Sequence, residues 1–123
     1  MKKISIIIAT YNAGKVLQRC LDSIRPQKME DIELLVIDGN SKDNTMEIVN
    51  SNNDIIDYWV SEPDKGIYDA WNKGIKAAKG EWIQFIGADD QLVRGSLQYY
   101  LDYLAREDGL EKIDIIFGRC WLI

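Results

Sequence analysis

The chain has 123 residues, of which 46% are hydrophobic and 28% charged, and a formal net charge of −5. That describes one ordinary globular domain with one core, and it argues against a nucleic-acid-binding module, which would carry a basic stripe. There is no histidine. Within these residues that excludes a Ser-His-Asp triad, a Cys-His pair and histidine-ligated zinc, so acid–base chemistry falls first to carboxylates.

Strands and helices alternate along the chain. Met1-Lys2-Lys3 and the apolar run after it are too short for a signal peptide, and Lys3 to Ala9 reads as strand one. Helix one follows Gly14, with Val16, Leu17, Cys20, Leu21 and Ile24 on one face. Ile32 to Ile37 is strand two. Helix two starts near Ser41 to Asp43, which offer capping oxygens, and carries Met46, Ile48 and Val49. Asp57 to Val60 is a short strand three, closed by Pro63. Helix three starts near Gly66, places Ile67, Ala70, Trp71, Gly74, Ile75 and Ala78 in a stripe, and ends at Gly80. Trp82, Ile83, Phe85 and Ile86 predict a short buried strand four. Helix four carries Leu97, Tyr100, Leu101 and Leu104, and Ile113 to Phe117 opens a fifth strand.

Such alternation predicts an α/β fold, a mostly parallel sheet with helices on both faces. Ligands of such sheets bind at the carboxyl ends of the strands, near a change in strand order. Cys20 and Cys120 fall in apolar segments and read as buried free thiols, which fits a reducing compartment. No stretch reaches membrane-spanning length, and the protein is read as cytoplasmic.

The strand ends carry the chemistry. Asp89 and Asp90 follow strand four directly, behind the small residues Gly87 and Ala88. Adjacent carboxylates repel, and a cation relieves the repulsion; oxygen-only ligation suits Mg²⁺ or Mn²⁺. A solvated acidic turn is the plainer alternative. Thr10-Tyr11-Asn12 follows strand one, where backbone groups and a ring can meet a base, or where a polar turn simply leads to the helix. Asp38 ends strand two and can accept an N–H from a base or a ribose hydroxyl, whereas Ser41 and Asp43 are explained by helix capping. Lys65 lies in the loop before helix three. Asp69, Asn72 and Lys73 share one face of that helix, which is either turned in part toward the cleft or a solvated face with a Lys65–Asp69 pair.

Four blocks, taken in order, resemble the family-2 glycosyltransferases of the GT-A fold. They are Ile4 to Asn12, Val36 to Thr45, Asp64 to Gly74 and Gly80 to Asp90, and the resemblance they carry extends over about the first three quarters of the chain. The resemblance implies a Rossmann-like, nucleotide-sugar-binding half of an inverting, metal-dependent transferase in polysaccharide or cell-surface glycan synthesis. It implies that Thr10, Tyr11, Asn12, Asp38, Lys65, Asp69, Asn72 and Asp89 hold the donor. It further implies that Asp89 and Asp90 form the DXD-type element, with Asp90 on Mn²⁺ or Mg²⁺. Implied partners are a nucleotide-sugar donor and a glycan or lipid-linked acceptor, the latter bringing the enzyme to the inner membrane face as a peripheral protein. UDP is the expected nucleotide, since uracil offers an N3–H to Asp38, although thymine and guanine carry suitable donors too. Ala9 stands where many relatives have Pro.

The family's base lies well downstream of the metal motif, so none is assigned here and residues 1–123 read as one donor-binding domain cut before its acceptor half. The apolar run Cys120-Trp121-Leu122-Ile123 supports that reading, and as an uncovered edge it predicts a homodimer. Two alternatives stay open. One is a catalytically incomplete donor-binding fragment. The other is a receiver-type signalling domain, which would place its acidic pair after strand one rather than strand four.

Overall fold

Ile4-Ser5-Ile6-Ile7-Ile8-Ala9-Thr10 forms strand β1 (Ile4–Thr10), with apolar residues on both faces. Both faces are apolar because side chains of β1 are buried in a core on each side of the sheet. The computed structural model describes residues 1–106, 110–116 and 118. Along these run α1 (Leu17–Ile24), a 3₁₀ turn (Arg25–Gln27), β2 (Ile32–Asp38), α2 (Thr45–Ser51) and β3 (Tyr58–Ser61). After them come α3 (Ile67–Ala77), β4 (Trp82–Gly87), α4 (Ser96–Arg106) and a second 3₁₀ turn (Leu110–Lys112).

The four strands pair in the order β3-β2-β1-β4, all parallel. The chain runs outward from β1 through β2 to β3, then crosses back to lay β4 on the other side of β1. The change of direction falls beside β1, where an open parallel sheet opens a crevice at its carboxyl edge.

Each face has its own core. Ile4, Ile6 and Ile8 of β1 with Leu34 and Val36 of β2 meet Leu17, Cys20, Leu21 and Ile24 of α1, Val49 of α2, and Leu97 and Leu104 of α4. Ile7, Leu35 and Ile37 on the opposite face meet Ala70 of α3. The expected helices on both faces are therefore present, three on one side and one on the other.

The small residues of α3 set its approach to the sheet. A Cβ on Gly74 would stand 2.6 Å from Cγ2 of Ile7, a fully buried side chain of β1. Gly74→Ala must push the helix off the strand, and overpacking of this kind costs about 1–3 kcal/mol. Thermal unfolding of the variant should show a clearly lowered midpoint; an unchanged midpoint would mean the contact is not tight.

Three sequence readings are corrected. Ile83 and Phe85 are not buried but 37% and 39% exposed, because β4 is the edge strand among the described residues and α3 lies over β1 and β2. Trp71 of α3 reaches across, stacking on Phe85 with ring centroids 4.6 Å apart. The α3 stripe is likewise narrower than expected: Ala70 and Gly74 are buried, while Ile67 and Ile75 at its margins are exposed. The fifth strand is absent over residues 113–116, where Ile116 packs on the α4-side core and Ile115 is exposed. Phe117, Cys120 and the Trp121-Leu122-Ile123 edge lie outside the described residues. Among the described residues no helix is long and apolar enough to cross a membrane.

Candidate nucleotide-binding site

Asp38 organises the carboxyl edge of the sheet. It is 1% exposed, and both of its oxygens are fully engaged. Oδ1 accepts from Thr10 Oγ1 (2.7 Å) and Ser41 Oγ (2.5 Å); Oδ2 accepts from Ser41 N–H (2.8 Å) and Ser61 Oγ (2.7 Å). One carboxylate thus ties together the ends of β1 and β3 and the loop after β2. Burial pushes this carboxyl up, but the hydrogen bonds from Ser41, Thr10 and Ser61 outweigh it and hold it below the usual aspartate range.

The loops after β1 and β2 are then stitched to each other. Asn12 N–H donates to Ser41 Oγ and Lys42 N–H donates to Asn12 Oδ1, both at 2.8 Å. Ala13 N–H donates to Thr45 Oγ1 (2.8 Å) and Gly14 N–H to Asp43 Oδ2 (2.9 Å). This revises the capping reading. Asn44, not Ser41 or Asp43, sits at the start of α2, and it makes no side-chain cap. Ser41 and Asp43 serve the neighbouring loop instead, although Asp43 Oδ1 also accepts Thr45 N–H (3.0 Å). Asn12 and Asn40 both take left-handed backbone angles, φ 48° and 68°, which asparagine tolerates better than most residues.

Above this floor lies a cleft of about 600 Å³, lined by the end of β1 (Ala9, Thr10, Tyr11), the loop after β2 (Gly39, Asn40, Lys42) and, from the β3–α3 loop and the start of α3, Pro63, Asp64, Gly66, Ile67 and Ala70. Tyr11 is 63% exposed at its rim, free to lay its ring on a ligand.

On the other side of β1, Asp89 and Asp90 are exposed just past the end of β4. Asp90 Oδ2 accepts Gly87 N–H (2.8 Å), which folds the carboxylate back over the strand end. Asp89 Oδ1 and Asp90 Oδ2 approach to 2.9 and 3.1 Å of the point where Gly87 would carry a Cβ. Two hard, anionic oxygens therefore converge on a gap that only glycine leaves, a donor set that fits Mg²⁺ or Mn²⁺. Among the described residues no three Asp, Glu, Cys or His side chains gather to hold an ion alone. An ion here would take its remaining ligands from water and substrate phosphates, as Mg²⁺ commonly does.

Helix α1 and the 3₁₀ turn after it hold the acidic loop. Ser23 Oγ accepts Leu92 N–H (3.0 Å). Gln27, itself buried, donates to Val93 O (3.0 Å) and accepts Leu97 N–H at the start of α4 (3.1 Å). Cys20 Sγ lies 3.7 Å from Gly87 O. Burial, with the charges of Asp90 and Asp89 adding to it, pushes the Cys20 thiol up to about 12. A thiol so rarely ionised is inert at neutral pH. Iodoacetamide at pH 8 should leave Cys20 unmodified in the native protein and label it after denaturation, as read by peptide mass spectrometry; rapid native labelling would show that α1 opens.

The remaining candidates divide cleanly. Thr10 and Tyr11 line the cleft, while Asn12 and Asp38 brace it. Asp69 Oδ2 accepts Lys65 N–H (2.9 Å) at the start of α3, and its charge partner is Lys73 at 3.9 Å rather than the expected Lys65. Lys73 also reaches Glu62 (3.2 Å) and Pro63 O (3.1 Å), pinning the β3–α3 loop. Lys65 and Asn72 are exposed. Sequence reasoning passed over Asp64, Asn40 and Lys42 as lining residues, because their position follows from how the loops after β2 and β3 fold over one another.

Residues 5–114 match the model of the family described as "Glycosyl transferase family 2". A PGL/p-HBAD biosynthesis glycosyltransferase of Mycobacterium tuberculosis is 40% identical over 121 residues, which cover 93% of this chain and 45% of that protein. The chain thus spans less than half the length of the curated relatives of this kind. In three dimensions it is similar to S. aureus TarS 1-349 in complex with UDP-GlcNAc, with a TM-score of 0.77 and 26% identity over 84% of this chain and 31% of that one. It is also similar to the mannosyltransferase PcManGT from Pyrobaculum calidifontis in complex with GDP-Man and Mn²⁺, with a TM-score of 0.73 and 26% identity over 84% of this chain and 32% of that one. These likenesses dispose of the receiver-domain alternative. A match across nearly all of its residues, on a parallel sheet that opens its cleft where the family's motif blocks fall, makes this chain a member of glycosyltransferase family 2.

Proposed function

We propose that the chain binds the donor of a metal-dependent, inverting glycosyl transfer, a nucleoside-diphosphate sugar, in glycan synthesis. One arrangement carries this reading: the cleft over β1 and β2 and the acidic pair after β4 flank the same strand end. Strands lie about 4.8 Å apart, so the ends of β2 and β4 are roughly 10 Å apart. A nucleoside placed in the cleft therefore reaches the acidic pair with its diphosphate.

In this reading Tyr11 packs on the base and Thr10 lines its pocket. Asn12 and Asp38 hold the loops that shape the cleft, and Asp69 with Lys73 fixes the β3–α3 wall. Lys65 lines the same nucleotide pocket, Asn72 looks toward the cleft, Asp89 faces the ribose, and Asp90 holds a Mn²⁺ or Mg²⁺ ion. The ion, when bound, neutralises charge that builds on the leaving diphosphate. The residues of this chain otherwise bind and orient the donor, and the ion accounts for how a chain of net charge −5 accepts an anion. The acceptor in this reading is a glycan or a lipid-linked sugar met at the inner membrane face, and no catalytic base is assigned among these residues.

Calorimetric titration of UDP and GDP, with and without Mn²⁺, tests the proposal. Saturable binding of at least one nucleotide in the presence of Mn²⁺, and far weaker binding without it, is expected. Absence of binding, or binding indifferent to the metal, would overturn it.

A further inference from the structure

Asp38, the carboxylate that the sequence points to as the reader of the base, has no free lone pair directed at a ligand: four donors occupy its two oxygens. Another carboxylate lines the cleft. Asp64, half-buried in the loop between β3 and α3, lines its β3 side, whereas the acidic pair lies beyond β1 on the β4 side. Asp64 Oδ1 accepts Gly66 N–H (3.0 Å). Asp64 Oδ2 has no hydrogen-bond partner among the described residues, and it lies 2.8 Å from the point where Gly39 would carry a Cβ. Any other residue at position 39 would crowd that oxygen; glycine leaves it open to the cleft.

We propose that Asp64 reads the edge of the nucleobase and sets the nucleotide preference. This rests on the donor-binding reading above, which orients the diphosphate toward Asp89 and Asp90 and so leaves the base on the Asp64 side. An ionised carboxylate only accepts hydrogen bonds. It therefore pairs with the ring N–H of uracil, thymine or guanine. Cytosine and adenine present a bare ring nitrogen at the corresponding place, and an acceptor facing an acceptor forfeits the bond and adds repulsion. A site built around a hydrogen bond rejects the analogue that cannot make it, because its own polar group is left unpaired.

The experiment compares UDP, GDP, CDP and ADP by calorimetry in saturating Mn²⁺, on the wild-type chain and on Asp64→Asn. Asparagine can still accept the Gly66 N–H, and its amide can offer either a donor or an acceptor to the base. The wild type should favour UDP over CDP by roughly tenfold or more, the order expected for one charge-assisted hydrogen bond. Asp64→Asn should bring that ratio to within about threefold, chiefly by improving CDP, at an unchanged thermal midpoint. Gly39→Ala, whose Cβ would meet Asp64 Oδ2, should weaken UDP while leaving the Mn²⁺ requirement intact. A UDP-to-CDP ratio that is near one in the wild type, or unmoved by Asp64→Asn, overturns the inference and leaves the donor-binding proposal standing. A wild-type chain that binds none of the four nucleotides brings down both.

Discussion

Asp90→Ala should abolish metal-dependent nucleotide binding: affinity for UDP in Mn²⁺ falls by roughly 100-fold or more, about 2.7 kcal/mol. The carboxylate is exposed, so its removal opens no cavity. Its one internal bond, from Gly87 N–H, passes to water in the variant at a cost of about 1 kcal/mol or less. Folding is therefore nearly untouched, and a loss of binding reports on the site. Asp90→Asn refines the test. Its amide oxygen can still accept the Gly87 N–H and keep the turn, but the negative charge is gone, and with it most of the attraction for a hard divalent ion. Both variants should lose the Mn²⁺ dependence while melting cooperatively within a few degrees of the wild type. Retention of Mn²⁺-dependent binding in Asp90→Ala would show that the ion, if bound, sits elsewhere. Asp89 helps decide how complete the loss is, since its Oδ1 converges on the same gap above Gly87.

The parts of this architecture that were legible in the sequence are those set by local pattern. The uninterrupted apolar runs from Ile4 and from Ile32 announce strands covered on both faces, and β1 and β2 are covered on both. Leu17, Cys20, Leu21 and Ile24 recur at helical spacing and form the buried side of α1. What stayed hidden depends on neighbours distant in the chain. Trp82 to Ile86 has the composition of a central strand, but whether Ile83 and Phe85 are covered depends on where β4 falls in the strand order, which no local pattern encodes. Asp38 drew attention as an isolated strand-end carboxylate. Its role appears only when Thr10, 28 residues away, and Ser61, 23 residues away, turn out to donate to it. Asp64 stood out in no local pattern for the converse reason: its exposure to the cleft depends on the missing side chain of Gly39 in a different loop. Charge and spacing thus singled out the carboxyl edge of the sheet, while the division between residues that brace the cleft and residues that line it required the folded chain.

Asp38→Ala should be strongly destabilising. It leaves Thr10 Oγ1, Ser41 N–H, Ser41 Oγ and Ser61 Oγ without their acceptor in a site that is 1% exposed at the carboxylate. Hydroxyls can rotate toward other partners, but the Ser41 N–H cannot, and an orphaned buried donor costs about 1–3 kcal/mol. With the collapse of the surrounding bonds the total should be on the order of 3 kcal/mol or more, a large share of the 5–15 kcal/mol that usually holds a domain together. Asp38→Asn should be milder, because its amide oxygen can keep Ser41 N–H and Ser61 Oγ while the NH₂ faces the two hydroxyls that can turn to accept. The folded carboxyl is held below its ordinary value of 3.8, so the unfolded chain takes up this proton first as the medium is acidified. A depressed folded pKa contributes stability that is fully present above the unfolded value and disappears as pH falls through the folded one. The wild-type advantage over Asp38→Asn in urea midpoint should accordingly be constant from neutral pH to about 5 and shrink steadily below about 4. A gap that stays constant down to pH 2 would mean that the four donors are satisfied equally well by a neutral group, and that the charge of Asp38 contributes nothing to closing the sheet's edge.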